Sequence, residues 1–445
     1  MDRRRFLTHT GYGIGAGLLA ASLPRAVHAA PFTDYKALVS VFLFGGNDAF
    51  NMVVPRSAAE YDVYARSRQN LAIARDALLP IEPLASDGAQ YGLHPAMASL
   101  TPRFAAGELA VIANVGPLVQ PVTRDEVLAR SVPLPPQLFS HNDQQDQWQT
   151  LSGRLGLRTG WAGRAADAIA ADTATQQLPV NVSLTGTTVF QIGAAAAPYS
   201  IGTDGAPTHF VLASPQAALY RERRAMFERL LAARSDGAIT RSFAAVHARS
   251  LRLADTVNAA LAAAVPLRTV FPATPLGTQL AMVARLIAVR DVLQMQRQVF
   301  MTAAGGYDTH DNQNTDQPRL LGDLSTALAA FQSALEELGV AGSVVTFTQS
   351  DFGRTLTSNG DGTDHGWGSH QLVLGNPVRG RQIYGTMPRL EIGGPDDVGG
   401  GRIVPTLAVD QYAATLLRWF GLSAEQIDGA APNLRNFTSR DLGFV

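Results

Sequence analysis

The sequence predicts an α/β fold, and three observations carry that expectation. Short aliphatic and β-branched runs, such as ALVSVFLF from Ala37 to Phe44 and VVTF from Val344 to Phe347, read as strands buried on both faces. Between them lie stretches whose apolar residues recur at three- and four-residue spacing, as amphipathic helices require. The apolar runs end abruptly in glycine-rich polar loops, and in open α/β sheets ligands bind beyond the carboxyl ends of the strands. No internal repeat and no shift of composition marks a linker, so a single domain over 30–445 with a helical elaboration around 215–299 is the economical reading.

The chain has 445 residues, and 46% of them are apolar, enough for a large core. Charged residues are only 16%, the net charge is -1, and no basic run follows the first few residues, so no nucleic-acid partner is expected. There is no cysteine, which excludes disulfides, thiolate nucleophiles and cysteine-ligated metal sites. Any metal must rest on Asp, Glu, His, Asn or water.

The strand from Ala37 ends in Gly45-Gly46-Asn47-Asp48, where Asp48 is either a cation ligand or a helix N-cap. Tyr61 to Ile81 reads as surface helix and loop. His94, before a proline, is a ligand or a satisfied loop residue, and a helix from Ala96 to Phe104 and a strand from Leu109 to Val115 follow. Ser140 opens a polar helix carrying His141. It is either a cap or a nucleophile activated by the helix N-terminus, as phosphoryl or sulfuryl transfer needs. Leu178 to Leu184 is a strand, and Pro215 to Val265 and Pro275 to Val299 read as covering helices.

A strand from Gln298 to Ala303 opens into GGYDTHDN, where Asp308 and His310 at alternate positions can point the same way and share a divalent ion. Leu320 to Leu338 is an amphipathic helix. Val344 to Gly375 reads as strand, polar loop and strand, with Asp351, Asp364, His365 and His370 as candidates for chemistry. Gln382 to Leu390 is loop and edge, and Leu407 to Phe420 is a helix stopped by Gly421.

Residues 1–29, MDRRRFLTHTGYGIGAGLLAASLPRAVHA, resemble a twin-arginine export signal, with cleavage expected near Ala29 and a periplasmic or secreted location. The apolar part is short for a membrane span, so the membrane is met only through this signal; an uncleaved anchor is the alternative.

The order Asp48, Ser140, Asp308 with His310, Asp351, His365 resembles the alkaline phosphatase-like superfamily, which includes sulfatases and phosphomutases. FGGND, GGYDTHDNQ, SDFGRT, DHG and Tyr384-Gly385 more closely resemble the twin-arginine exported proteins grouped as the domain-of-unknown-function 1501 family, over almost the whole chain. The resemblance implies a three-layer α/β/α sandwich with a mostly parallel central sheet. It implies an exported hydrolase of phosphate or sulfate esters, on a small-molecule or glycan substrate, with Ser140 as nucleophile. Asp48, Asp308, His310, Asp351 and His365 would hold a divalent ion such as zinc, calcium, magnesium or manganese. Arg354 would clamp the anionic group, and His141 or His370 would serve as acid or base. Two positions depart from the pattern: Phe352 follows Asp351 where metal-dependent members have His, and Asn312 stands at an expected His. Those departures motivate the alternative of a non-catalytic exported binding protein for a glycan, a metal or an envelope partner.

Overall fold

The structure is a computed structural model that describes residues 32–85, 87–206, 212 and 219–445; the expected export signal lies outside them. Fourteen strands form among the described residues. In chain order they are β1 (Lys36–Leu43), β2 (Val53–Pro55), β3 (Leu79–Ile81), β4 (Tyr91–Leu93), β5 (Leu109–Gly116), β6 (Asn181–Ser183), β7 (Tyr199–Ser200), β8 (Arg297–Ala304), β9 (Val344–Ser350), β10 (Arg354–Ser358), β11 (Thr363–His365), β12 (Ser369–Leu374), β13 (Gln382–Tyr384) and β14 (Leu407–Ala408). Nine of them make one sheet in the order β13-β5-β12-β9-β1-β8-β6-β7, with β14 also on β5. Six of its eight pairings are parallel; only β12 runs against its neighbours β5 and β9.

Side chains alternate across a strand, so a sheet strand buried on both faces must feed two cores. In β1, Ala37, Val39, Val41 and Leu43 enter one core with Leu280, Val283 and Ile287 of the helix Pro275–Ala288 and Leu321, Leu324, Leu328 and Phe331 of the helix Gln313–Glu337. Leu38 and Phe42 enter the other, with Trp161 and Ala165 of the helix Trp161–Ala168 and Tyr412 and Leu416 of the helix Val409–Phe420. Helices therefore cover both faces, as the α/β reading of the apolar runs and the three-layer arrangement implied by the resemblance require. No described helix is long and apolar enough to cross a membrane.

Two elements differ from the sequence reading. The helix Gln313–Glu337 begins seven residues before Leu320, after Asn312 turns the chain at φ 50°. Its first turns are polar because Gln313 and Gln317, four residues apart, are buried against the sheet edge instead of a hydrocarbon core. The polar loop after β9 contains a hairpin, β10 with β11, that pairs Arg354 with His365. Asn359-Gly360 and Asp361-Gly362 lie between its strands, a composition that favours tight turns.

The middle of the sheet decides where the polar loops meet. β8, β1 and β9 are adjacent and parallel, and Leu43 stands level with Ala304 on one side and Ser350 on the other. Three chain segments leave the sheet at one line, and they approach closely there. Gly45 has φ 116°, and a Cβ on it would stand 2.3 Å from the backbone nitrogen of Asp308. Gly45→Ala is expected to cost on the order of 1–3 kcal/mol from the left-handed backbone alone, and more from the clash. Calorimetric unfolding reads this; a melting curve matching the parent's would show that the loops are not pressed together.

Candidate metal centre at the sheet edge

The strand ends deliver Asp308 and His310 after β8 and Asp351 after β9, while the β10–β11 hairpin brings in Arg354 and His365. The helix His141–Thr150 supplies His141 from its first position, with Ser140 at the N-cap and Phe139 ahead of it at φ 72°.

Three side chains, His141, Asp308 and His365, face one point, and His310 adjoins two of them. His310 Nε2 lies 2.9 Å from His365 Nε2 and 3.1 Å from Asp308 Oδ1. His365 Nε2 is 3.3 Å from Asp308 Oδ1, and His141 Nε2 is 3.4 Å from Asp308 Oδ2. Ligand atoms of His141, Asp308 and His365 all lie within 4.8 Å of one another. Two donors on one zinc-sized ion, each roughly 2.0–2.1 Å from it, stand roughly 2.9–3.4 Å apart at ligand angles of about 90–110°. The observed separations are those of neighbouring ligands.

The second nitrogen of each ring explains the orientation. His365 Nδ1 is 2.7 Å from the Phe139 carbonyl oxygen, which can only accept, so Nδ1 carries the ring proton and Nε2 keeps its lone pair. His141 Nδ1 is 2.7 Å from Asp351 Oδ2, and His310 Nδ1 is 3.2 Å from Asp364 Oδ1. Every Nδ1 thus rests on an oxygen, the arrangement that outer partners impose on metal-ligating imidazoles.

Charge favours the same state. Burial pushes the Asp308 carboxyl up, but the hydrogen bond and charge of Arg354, then the charges of His310 and His141, outweigh it and hold Asp308 below the ordinary carboxylate range. Burial pushes the His365 imidazole down, and the Phe139 carbonyl only partly counters it. An ionised carboxylate beside a neutral imidazole is a ligand pair without a proton to lose. Side-chain exposures of 42% for Asp308 and His310 leave the centre open to solvent.

The other expected site residues take different places. Asp351 is fully buried behind His141: its Oδ2 also accepts from Gln145 Nε2 at 2.8 Å and its Oδ1 from Gly45 N at 3.2 Å. It orients a ring and faces no open space. Arg354, also buried, donates from Nη1 to Asp308 Oδ1 at 2.6 Å and to the Gly45 carbonyl at 3.2 Å, and from Nε to Thr363 Oγ1 at 3.2 Å. It clamps Asp308. Asp48 makes no contact with the cluster; its Oδ2 accepts from the buried Arg68 guanidinium and from Gln313 Nε2. The Ser140 hydroxyl donates to Asp143 Oδ2 at 2.6 Å and does not cap the helix. Phe352 lies with its ring 4.6 Å from that of His365 and 4.9 Å from that of His141, a wall of the centre where a ligand was expected.

His370 stands apart. Its Nδ1 accepts from Asn114 N at 3.0 Å, its ring meets Phe50 edge-on, and no hydrogen bond, ion pair or ring contact joins it to the cluster. Residues not anticipated are Arg68 and Gln145, and His141 had been assigned acid–base work. The sequence signal for His141 was its position beside Ser140; Arg68, at the end of a polar helix, left none.

The fold and site together define an α/β protein with a histidine–aspartate centre at the carboxyl edge of a mostly parallel sheet. Residues 35–427 match the family described as Protein of unknown function (DUF1501), and the chain belongs to it. No curated protein matches it in sequence. Solved structures similar to it include a sulfatase from Pseudoalteromonas sp., at 9% identity and TM-score 0.34, covering 88% of this chain and 68% of that one. A phosphonate monoester hydrolase of Agrobacterium radiobacter is 13% identical with TM-score 0.31, covering 87% and 74%. The alkaline phosphatase PafA, as a multiple mutant, is 11% identical with TM-score 0.26, covering 74% and 64%.

Burial holds the His370 imidazole down at about 3, against an ordinary value of 6.5. The unfolded chain takes up this proton below about 6.5 and the folded chain only near 3, so stability falls as pH drops through that window. Its share of the slope is ~1.4 kcal/mol per pH unit. His370→Gln is expected to flatten the pH dependence of the urea midpoint between pH 6 and pH 4 by about that amount; an unchanged slope would mean that His370 is charged in the folded protein.

Proposed function

We propose that this chain is an exported, metal-dependent hydrolase of phosphate or sulfate esters. The observation that carries the reading is the set of three imidazoles with each Nδ1 resting on an oxygen and each Nε2 turned to Asp308. His141, His365 and Asp308 would hold the ion, with His310 beside Asp308 and His365 as a further donor. Zinc fits this donor set best, because a borderline cation accepts imidazole and carboxylate together. When bound, such an ion offsets negative charge developing on phosphoryl or sulfuryl oxygens.

The chain's own groups do the rest. Phe139, Ser140 and His141 are consecutive: the first holds His365 through its carbonyl, and the third faces Asp308, so Ser140 lies in the chain between two residues that touch the centre. Ser140 Oγ attacks phosphorus or sulfur, its proton passes to Asp143, and the bond to the departing alcohol oxygen breaks as the bond to Oγ forms. The departing oxygen takes a proton from solvent and leaves as the alcohol. Water then attacks phosphorus or sulfur as the bond to Ser140 Oγ breaks, Oγ recovers its proton from Asp143, and the proton lost by water replaces the one taken from solvent. The free N–H groups at the start of the His141–Thr150 helix favour an anion there.

Export rests on the Arg3-Arg4-Arg5-Phe6-Leu7 opening and the small residues near Ala29. Replacing Arg4 and Arg5 by lysine is expected to remove the protein from the periplasmic fraction; unaltered export would defeat that part of the reading.

A second reading, a non-catalytic exported binding protein, is favoured by the closure of one side of the centre by Phe352. One set of measurements separates the two. Elemental analysis of protein purified without chelators is expected to find about one equivalent of metal, lost in His365→Ala. Turnover of 4-nitrophenyl phosphate or sulfate should fall roughly a hundredfold or more in Ser140→Ala with metal retained. Metal bound without turnover of any ester supports the binding protein, and activity indifferent to both substitutions removes the hydrolase as written.

A further inference from the structure

Next to the metal centre is an open groove of about 520 Å³ that sequence and mechanism leave without a role. That volume lies within the range of small-molecule sites. Its walls come from the helix Arg124–Ala129, from the turn into the His141–Thr150 helix, from Trp367 after β11, and from the loop at Val398 to Arg402. Val127, Leu128, Leu134, Phe139, Trp367 and Val398 give it an apolar lining, and Arg130 and Arg402 are its only charged groups. Among the described residues no acidic, amide or hydroxyl side chain lines it. Leu128 is 50% exposed, apolar surface that the fold leaves uncovered at the rim.

Groove and metal centre share parts. The Phe139 carbonyl holds His365 Nδ1 at 2.7 Å, while the Phe139 residue walls the groove with the Arg402 guanidinium 4.9 Å over its ring. Arg402 Nε donates to the His365 carbonyl at 3.1 Å. Trp367, two residues past His365, is buried and donates from Nε1 to the Pro117 carbonyl at 3.0 Å. Its polar atom is therefore satisfied, and its buried ring backs the groove from behind. Phe139 keeps a left-handed backbone at φ 72°, a conformation that a non-glycine residue holds only when its surroundings demand it.

We propose that this groove binds the alcohol half of the ester and selects an aryl group over a sugar. The proposal rests on the hydrolase reading and names its substrate class. A sugar presents hydroxyls, and each one buried without a partner is penalised; the groove has only guanidinium donors and no side-chain acceptor for them. A flat aromatic group meets the half-buried Phe139 and Arg402 and the exposed Leu128, surfaces that reward stacking and the removal of apolar area from water. Phe139 lines the groove and directly precedes Ser140 in the chain, so a ring bound there lies beside the turn that carries the proposed nucleophile.

The test uses the full chain, loaded with zinc, carrying Ser140→Ala so that no turnover disturbs a titration. Calorimetry compares 2-naphthyl phosphate, methyl phosphate and a hexose phosphate. The aryl ester is expected to bind roughly tenfold or more tightly than either. That preference should vanish in Leu128→Asp, a change at an exposed position that the fold tolerates, and in Val398→Asp. In the Ser140-containing protein, Leu128→Asp should raise KM for aryl esters and leave kcat. Equal affinities for the three probes, or a preference surviving both substitutions, overturn the groove. Turnover of esters without aryl preference defeats the groove alone. An aryl preference without turnover of any ester defeats the hydrolase reading, and with it the assignment of the groove to an ester's alcohol half.

Discussion

The histidine–aspartate cluster depends on one buried guanidinium. Arg354 lies under the Asp308 carboxylate; the same Nη1 also donates to the Gly45 carbonyl, and its other two nitrogens reach Thr363. A buried cation without partners costs several kcal/mol, so the fold can keep Arg354 inside only by bringing the loop after β8, the turn after β1 and strand β11 to it. The same residue pairs across the hairpin with His365. One side chain thereby orients the carboxylate and, through its backbone, places one of the imidazoles beside it. Two glycines permit the crowding: Gly45 against Asp308, and Gly362, where a Cβ would stand 2.3 Å from the His310 backbone.

A second buried ion pair, Asp48 with Arg68, stands behind the first. Arg68 Nε also donates to Asn51 Oδ1 at 3.1 Å and its Nη1 to the Thr355 carbonyl at 2.8 Å, while Gln317 Nε2 donates to the Asp48 carbonyl at 2.7 Å. Gln313 links the two pairs, since its Oε1 accepts from Thr363 Oγ1 at 2.7 Å, and the same Thr363 oxygen accepts from Arg354. Breaking the Asp48–Arg68 pair would strand a charge in the interior, a loss of about 3–5 kcal/mol. The chain thus supplies its own cation at Asp48, where the spacing of strand-end acids had suggested a metal ion. The polar floor is rigid because nearly every donor in it is already committed.

Rigid support below and an open face above fit a protein that presents a preformed ligand set. His141, His310 and His365 come from three separated parts of the chain, yet each has its outer nitrogen held by a different oxygen: a carboxylate from β9's end, a carboxylate from the hairpin, and a backbone carbonyl. Phe352 and Phe139 make the neighbourhood apolar on two sides, which strengthens the electrostatics within it. The groove beyond Phe139 continues that apolar character outward.

Much of the fold was legible in the sequence. The apolar runs at Ala37, Leu109, Gln298 and Val344 became β1, β5, β8 and β9, because a strand buried on both faces admits little else. The strand-end rule also located Asp308, His310, Asp351 and His365 near one edge. The polar first turns of the Gln313 helix and the β10–β11 hairpin were not legible, since apolar periodicity is blind to glutamines and arginines buried by hydrogen bonds. By itself, then, the sequence determined the layers and the set of chemically capable residues. Only the tertiary structure decided the division of labour among them: His141 turned to the centre, Asp351 and Arg354 set behind it, Asp48 taken by Arg68, His370 enclosed. Those assignments follow from distances of a few ångströms across segments hundreds of residues apart, and hydrogen-bond geometry at that range is set by strand register and packing, which no local pattern encodes.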